Sequence, residues 1–251
     1  MGQTSIYCSY QTNAQWHDDT TSKPGINIYR VRISHHLPNI RTYLSVLTED
    51  ELRRSRNYHH QKDTDRFIIS RGVLRLILAD KLSLSPKEIR FGKGENKKPF
   101  IENTGTDRLE FNVTHSGDWI IIAISSQPVG ADIECIDPDF EYAEIMAFAF
   151  HKQEIDYIND SGCPRNKFFL LWSRKESLLK ATGKGIGNHL SSTLCLDGNN
   201  YVTTDDIGSV LSWNINTFLI EEDYVVNVAF AVDHEMNFHT VGPNCFNGTV
   251  E

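Results

Sequence analysis

The chain has 251 residues, 39% hydrophobic and 23% charged, with 33 acidic against 25 basic side chains and a net charge of −8. That is enough chain for one large domain or two small ones with a proper core, and the aromatic supply excludes wholesale disorder. The acidic balance speaks against a general nucleic-acid binder, while leaving room for a local basic pocket.

Residues 1–25 are polar and are expected to be irregular at first. No basic segment leads into an apolar core there, so no secretory signal is read. The Met-Gly start has Ile6 where a myristoylation signal needs Ser or Thr. "INIYRVRIS" (26–34) alternates apolar and polar residues, which predicts a strand. "TEDELRRSRNY" opens with Thr48 as an N-cap and acids in the first turn, which predicts a helix. "DTDRFIISRGVLRLILADKLSL" spaces Phe67, Ile68, Val73, Leu74, Ile77 and Leu78 as one helical face, with Arg66 and Arg71 near its start. "GKGENKKPF" (92–100) reads as a loop, and "LEFNVTHSG" as a strand ending in a turn. "DWIIIAISSQPVGADIE" predicts a hairpin that turns at Ser126-Gln127-Pro128. "DFEYAEIMAFAFHKQEIDYIND" is helical with a break near His151, and "CPRNKFFLLWSRKESLLKATG" is a helix closed by Gly183. "HLSSTLCLD", "GSVLSWNINTFLI" and "YVVNVAFAV" predict three strands, and the last residues, from about His234, a loose tail.

The expected architecture is α+β in two stretches of similar size, 1–127 and 128–251, joined near 125–129. No run is long and apolar enough to span a membrane. The five cysteines are scattered without CxxC spacing, which argues against a zinc site or disulfide framework and suits reduced thiols in a cytoplasmic protein.

The chemistry concentrates in two places. In "VGADIECID" (129–137), Asp132 and Glu134 stand two residues apart and project to one side of a strand. Two like charges on a partly buried strand need a cation between them, either a metal or a Lys or Arg. In "WSRKESLLKATGKG", Glu176 and Lys180 are i, i+4 and share a helix face. Alone, that pair is also read as a surface ion pair worth about 0.3 kcal/mol. Carboxylates without nearby His or Cys suit a hard cation, Mg2+ by default with Mn2+ an alternative, shared with a phosphate-bearing substrate. The arginine-rich helix and "NKKP" could meet those phosphates. "THSG" adds Thr114 and His115, the latter a phosphate donor when protonated or a merely structural ring.

"NKKPFI" (96–101), "FNVTHSG" (111–117), "VGADIE" (129–134) and "WSRKESLLKATGKG" (172–185) together resemble the 4′-phosphopantetheinyl transferases of the long, pseudo-dimeric type. The G-x-D-x-E and W-x-x-K-E-x-x-x-K pair is specific in combination, and the similarity runs from about residue 50 to 200. The resemblance implies two similar α+β halves about a pseudo-twofold axis, with coenzyme A in the cleft between them. It implies transfer of the phosphopantetheine arm to a carrier-protein serine, with release of adenosine 3′,5′-bisphosphate. Asp132, Glu134 and Glu176 match the magnesium acids. Lys180 matches the lysine that follows them, Thr114 and His115 a phosphate-contacting pair, and Lys98 a basic residue before the loop proline. Arg54 and Arg66 match contacts to the adenosine 3′-phosphate more loosely. Glu51 stands where some relatives have lysine, and Arg53 is the expected compensation. A monomer is expected, with no nucleic-acid or membrane partner. Two rival readings are a magnesium-dependent nuclease, disfavoured by the net charge, and a non-catalytic carrier-binding protein whose acids only form ion pairs.

Overall fold

The computed structural model describes residues 2–11, 14–103, 109–185, 190–231 and 235–246. In chain order the protein forms strands β1 (Gln3–Tyr10), β2 (Trp16–His17) and β3 (Ile26–Arg32), then helices α1 (Ile33–His36), α2 (Ile40–Ser45), α3 (Glu49–Ser55) and α4 (Gln61–Leu82). A short ribbon of β4 (Phe91–Lys93) and β5 (Pro99–Ile101) precedes β6 (Glu110–Ser116), β7 (Trp119–Ser125) and β8 (Val129–Cys135). Helices α5 (Ala143–Ala149), α6 (Lys152–Asn159) and α7 (Pro164–Thr182) follow. Strand β9 (Gly198–Thr203), helix α8 (Thr204–Ile207) and strands β10 (Trp213–Ile220), β11 (Tyr224–Phe230) and β12 (Met236–Thr240) complete the order.

Local signals act where the sequence put them. Thr48 and Glu51 form a capping box at the start of α3. His151 separates α5 from α6 and caps the latter by accepting from the Gln153 amide. Gly183 ends α7 at φ 74°, a left-handed conformation that costs glycine little.

Two five-stranded sheets form, ordered β8-β11-β10-β1-β9 and β2-β12-β3-β7-β6. Strand alternation builds the layers. Ile120, Ile122 and Ile124 of β7 pack with Ile69, Val73 and Leu78 of α4, whereas Ile121 and Ala123 pack with β8 and β11 of the other sheet. A strand covered on both faces is apolar throughout, which explains "WIIIAIS". On the far side, Leu178 and Ala181 of α7 pack with Ile215 and Ala229. The result is helix α4, sheet, sheet, helix α7, a mixed α+β fold with two sheet-containing halves.

Four expectations are corrected. Strands β7 and β8 do not pair as a hairpin: the chain crosses from one sheet to the other between them, and β7 pairs with β6 instead. The supposed tail contains β12, and Val241 and Phe246 join the core under α4. Residues 247–251 lie outside the described residues. The irregular start is β1, which pairs in parallel with β10, Ile6 opposite Trp213. Beyond residue 189, which is not described, "HLSSTLCLD" forms no strand; Leu190–Ser192 is a 3-10 turn, and strand β9 begins only at Gly198. Each sheet thus borrows a terminal strand: β1 lies with β9–β11, and β12 lies beside β3.

Candidate active site

Strand β8 turns Val129, Ala131 and Ile133 into the space between the sheets, so Gly130, Asp132 and Glu134 face α7. The two acids share a side, as their spacing required. Gly130 lets the helix come down onto the strand: a Cβ there would overlap the Ser177 carbonyl oxygen and the Ala181 amide nitrogen. That close approach sets Glu176 and Lys180 over the acids.

Lys180 Nζ lies 2.5 Å from Asp132 Oδ1 and donates more weakly to Thr114 Oγ1 at 3.4 Å. Thr114 Oγ1 is 3.3 Å from the same Asp132 oxygen. Asp132 Oδ2 and Glu176 Oε1 are buried, and among the described residues neither accepts a hydrogen bond. Ser173 lies near enough to Asp132 to favour its charge. Burial raises the Asp132 carboxyl above its usual range, with Lys180 opposing the shift. Burial, helped by the charge of Asp132, pushes Glu134 up to about 7. Glu176 is raised by burial as well, against Lys180.

The expected three-acid metal set is not drawn together in this arrangement. Among the described residues no group of three His, Cys, Asp or Glu side chains is close enough to hold an ion. Asp132 is engaged by Lys180, and the Trp172 side chain lies near enough to Glu134 to favour its charge. The donor chemistry nonetheless fits a hard cation. Two buried carboxylate oxygens without a partner are costly, and an oxygen-seeking ion is what would satisfy them.

Strand β6 divides the site. Asn112, Thr114 and Ser116 face β8, where Asn112 accepts from the Ala131 amide and Ser116 from the Cys135 amide. His115 points the other way, into a cavity lined with Arg54, Arg66, Arg71, Tyr58 and Phe67. Thr114 belongs to the acids and His115 to the arginines. Burial and then the nearby Arg66 lower the His115 pKa, which favours the neutral ring. Arg66 pairs with Asp63 at 2.9 Å, and the Arg54 guanidinium lies 5.0 Å from the Phe67 ring centre.

Arg53 does not join this cavity; it is exposed and pairs with Asp50. Glu51 is no misplaced phosphate contact. It binds Arg75 through both carboxylate oxygens, at 2.8 and 3.0 Å, and also holds Arg71 at 3.4 Å while capping α3. Arg71, noted beside Arg66 near the start of α4 but not assigned to the phosphate contacts, also lines this cavity. Its Nη1 is buried without a partner, and its guanidinium lies 4.5 Å from the Phe91 ring centre beside the cavity. It was visible only as one arginine in a run.

Lys98 reaches the end of α7 and donates to the Ala181 carbonyl at 2.7 Å. Together with Lys180, Glu176 and Gly183 it lines a second cavity. Asn112 and Pro99 border this cavity as well as the arginine cavity, so the two adjoin. Cations at one end and unsatisfied acids at the other suit a long polyanion bound with a metal.

Comparison with known proteins identifies the family. Residues 128–229 match the family model of the 4′-phosphopantetheinyl transferase superfamily, and residues 34–127 match the model of the 4′-phosphopantetheinyl transferase N-terminal region. A putative 4′-phosphopantetheinyl transferase of Synechocystis sp. is 32% identical over 185 residues, covering 72% of this chain and 75% of the relative. A 4′-phosphopantetheinyl transferase of Bacillus subtilis is 29% identical over 200 residues, covering 75% and 84%. The transferase Sfp of Bacillus subtilis strain 168 is 32% identical over 152 residues, covering 60% and 66%. The chain belongs to the 4′-phosphopantetheinyl transferase superfamily and is a transferase.

Proposed function

We propose that the protein moves the 4′-phosphopantetheine arm of coenzyme A onto a serine of an apo carrier protein, in a Mg2+-dependent reaction that releases adenosine 3′,5′-bisphosphate. The observation that carries this reading is the pair of buried, partnerless oxygens, Asp132 Oδ2 and Glu176 Oε1, beside a cleft lined by Lys180 and Lys98. Asp132 and Glu176 would hold the metal, which would supply positive charge to offset that of the diphosphate. Arg54, Arg66 and Arg71, with His115, hold the adenosine 3′-phosphate in their cavity, where guanidinium groups suit phosphate oxygens. Glu176 takes the serine proton, directly or through a water. The serine oxygen bonds to phosphorus as the bond to the departing bisphosphate oxygen breaks. Lys180 balances the charge that gathers on that leaving oxygen. The acids and cations act by position and charge, as is usual for phosphoryl chemistry.

Mass spectrometry of apo carrier proteins incubated with the protein, coenzyme A and Mg2+ tests the reading. A carrier heavier by one phosphopantetheine is the expected outcome. Unmodified carriers across a broad set, with no heat of coenzyme A binding, would remove it in favour of a binding protein.

A further inference from the structure

We propose that Lys180 is the internal counter-ion of the acid site: it sits on Asp132 until a divalent cation takes its place, and is then free to meet the phosphates. The proposal rests on the metal-dependent reading above and extends it to the order of events.

The geometry leaves Asp132 little alternative. Its side chain is 5% exposed, and Lys180 is the cation in contact with it, 2.5 Å from Oδ1. A buried carboxylate without a counter-charge is strongly unfavourable. Yet Lys180 is one charge among three carboxylates, and Asp132 Oδ2 and Glu176 Oε1 still lack partners. The lysine stabilises the site without completing it. A divalent ion at those oxygens brings twice the charge, and it repels an ammonium group resting on the same carboxylate.

Lys180 also has somewhere to go. Its side chain is 31% exposed and borders the cavity it shares with Lys98. Lys175, on the same helix, shows what a fixed lysine looks like. It is fully buried, lies 2.8 Å from Glu154, and donates to the carbonyls of Leu190 and Thr193. Lys180 has no carbonyl of this kind. Displacement by the metal therefore moves a positive charge to the place where a diphosphate binds. Metal and coenzyme A should then favour one another's binding, and by linkage the effect must be reciprocal.

Manganese binding followed by electron paramagnetic resonance of the free ion tests this on the full chain without measuring activity. Without coenzyme A, Lys180→Met should bind Mn2+ at least about tenfold more tightly than the parent, because the competitor is gone. Lys98→Met, which alters a cation of the same cavity that rests on a carbonyl, should change the affinity by about twofold or less. Coenzyme A should tighten Mn2+ binding by a larger factor in the parent than in Lys180→Met. If Lys180→Met folds poorly without metal, Lys180→Gln gives the same comparison, and Mn2+ should raise its melting temperature more than the parent's. Equal or weaker Mn2+ binding by both Lys180 variants overturns the proposal while leaving the metal site standing. A parent that binds no Mn2+ with or without coenzyme A removes the metal site and the proposal together.

Discussion

Arg75 of α4 and Glu176 of α7 are both charged groups buried within long helices. Every nitrogen of the Arg75 guanidinium is used: Nε and Nη2 go to Glu51, and Nη1 to the carbonyls of Pro86 and Ile89. Lys175 is equally complete, and its partner Glu154 also accepts from the amides of His151 and Cys195. Glu176, next along the chain, keeps a buried oxygen with nothing to accept. Burial of charge is common to all three residues and so does not mark the site. Among the buried charged groups described, incomplete hydrogen bonding does: the unpartnered atoms belong to Asp132, Glu176 and Arg71, all at the site.

The contrast can be broken most directly at Lys175. Lys175→Met strands Glu154 in the core and should cost about 3–5 kcal/mol of stability, read from denaturant unfolding. A loss within experimental error would mean that this completed pair is not structural after all. Glu176→Gln should do the reverse. Transfer should fall by roughly 10²-fold or more, while stability stays level or rises slightly, as when an active-site strain is relieved. Destabilisation on the scale of Lys175→Met would erase the distinction between the two neighbours. Gly130→Ala probes what brings the acids and the helix together. Overpacking against backbone should cost about 1–3 kcal/mol, and transfer should drop with it as α7 lifts from β8. Normal stability together with normal transfer would show that the close approach is dispensable.

The smallest effect concerns a completed group that titrates. His36 is buried between Tyr43 and the Val241 carbonyl, and burial lowers its pKa from 6.5. Between that ordinary value and the lower folded one, the unfolded chain holds a proton that the folded chain does not. The neutral ring's contribution is complete above about pH 6.5 and is lost as pH falls through that window. His36→Gln should flatten the fall in unfolding free energy between neutral and mildly acidic buffer; an unchanged slope would assign the titration elsewhere.

Much of the site was legible because it rests on short-range periodicity. The two-residue step put Asp132 and Glu134 on one face, and the four-residue step paired Glu176 with Lys180. The same alternation turns Thr114 and His115 to opposite faces of β6. Glu51 and Arg71 were opaque for another reason. Their roles depend on α3 meeting α4 and on Phe91 beyond it, contacts that no local spacing encodes. The terminal strands were missed because β1 and β12 find their partners across nearly the whole sequence, and a polar strand without its neighbours looks like a loop.

That last arrangement bears on how the molecule comes to exist. Ile6 pairs with Trp213, more than two hundred positions away, and β12 can join β3 only once the two hundred residues between them have been made. Neither half can finish itself before β10 and β12 have been made, and such long-range closure is slow. A cut in the β7–β8 connection should yield two fragments that are each unfolded alone and that recover structure only when mixed, like the two parts of a clasp.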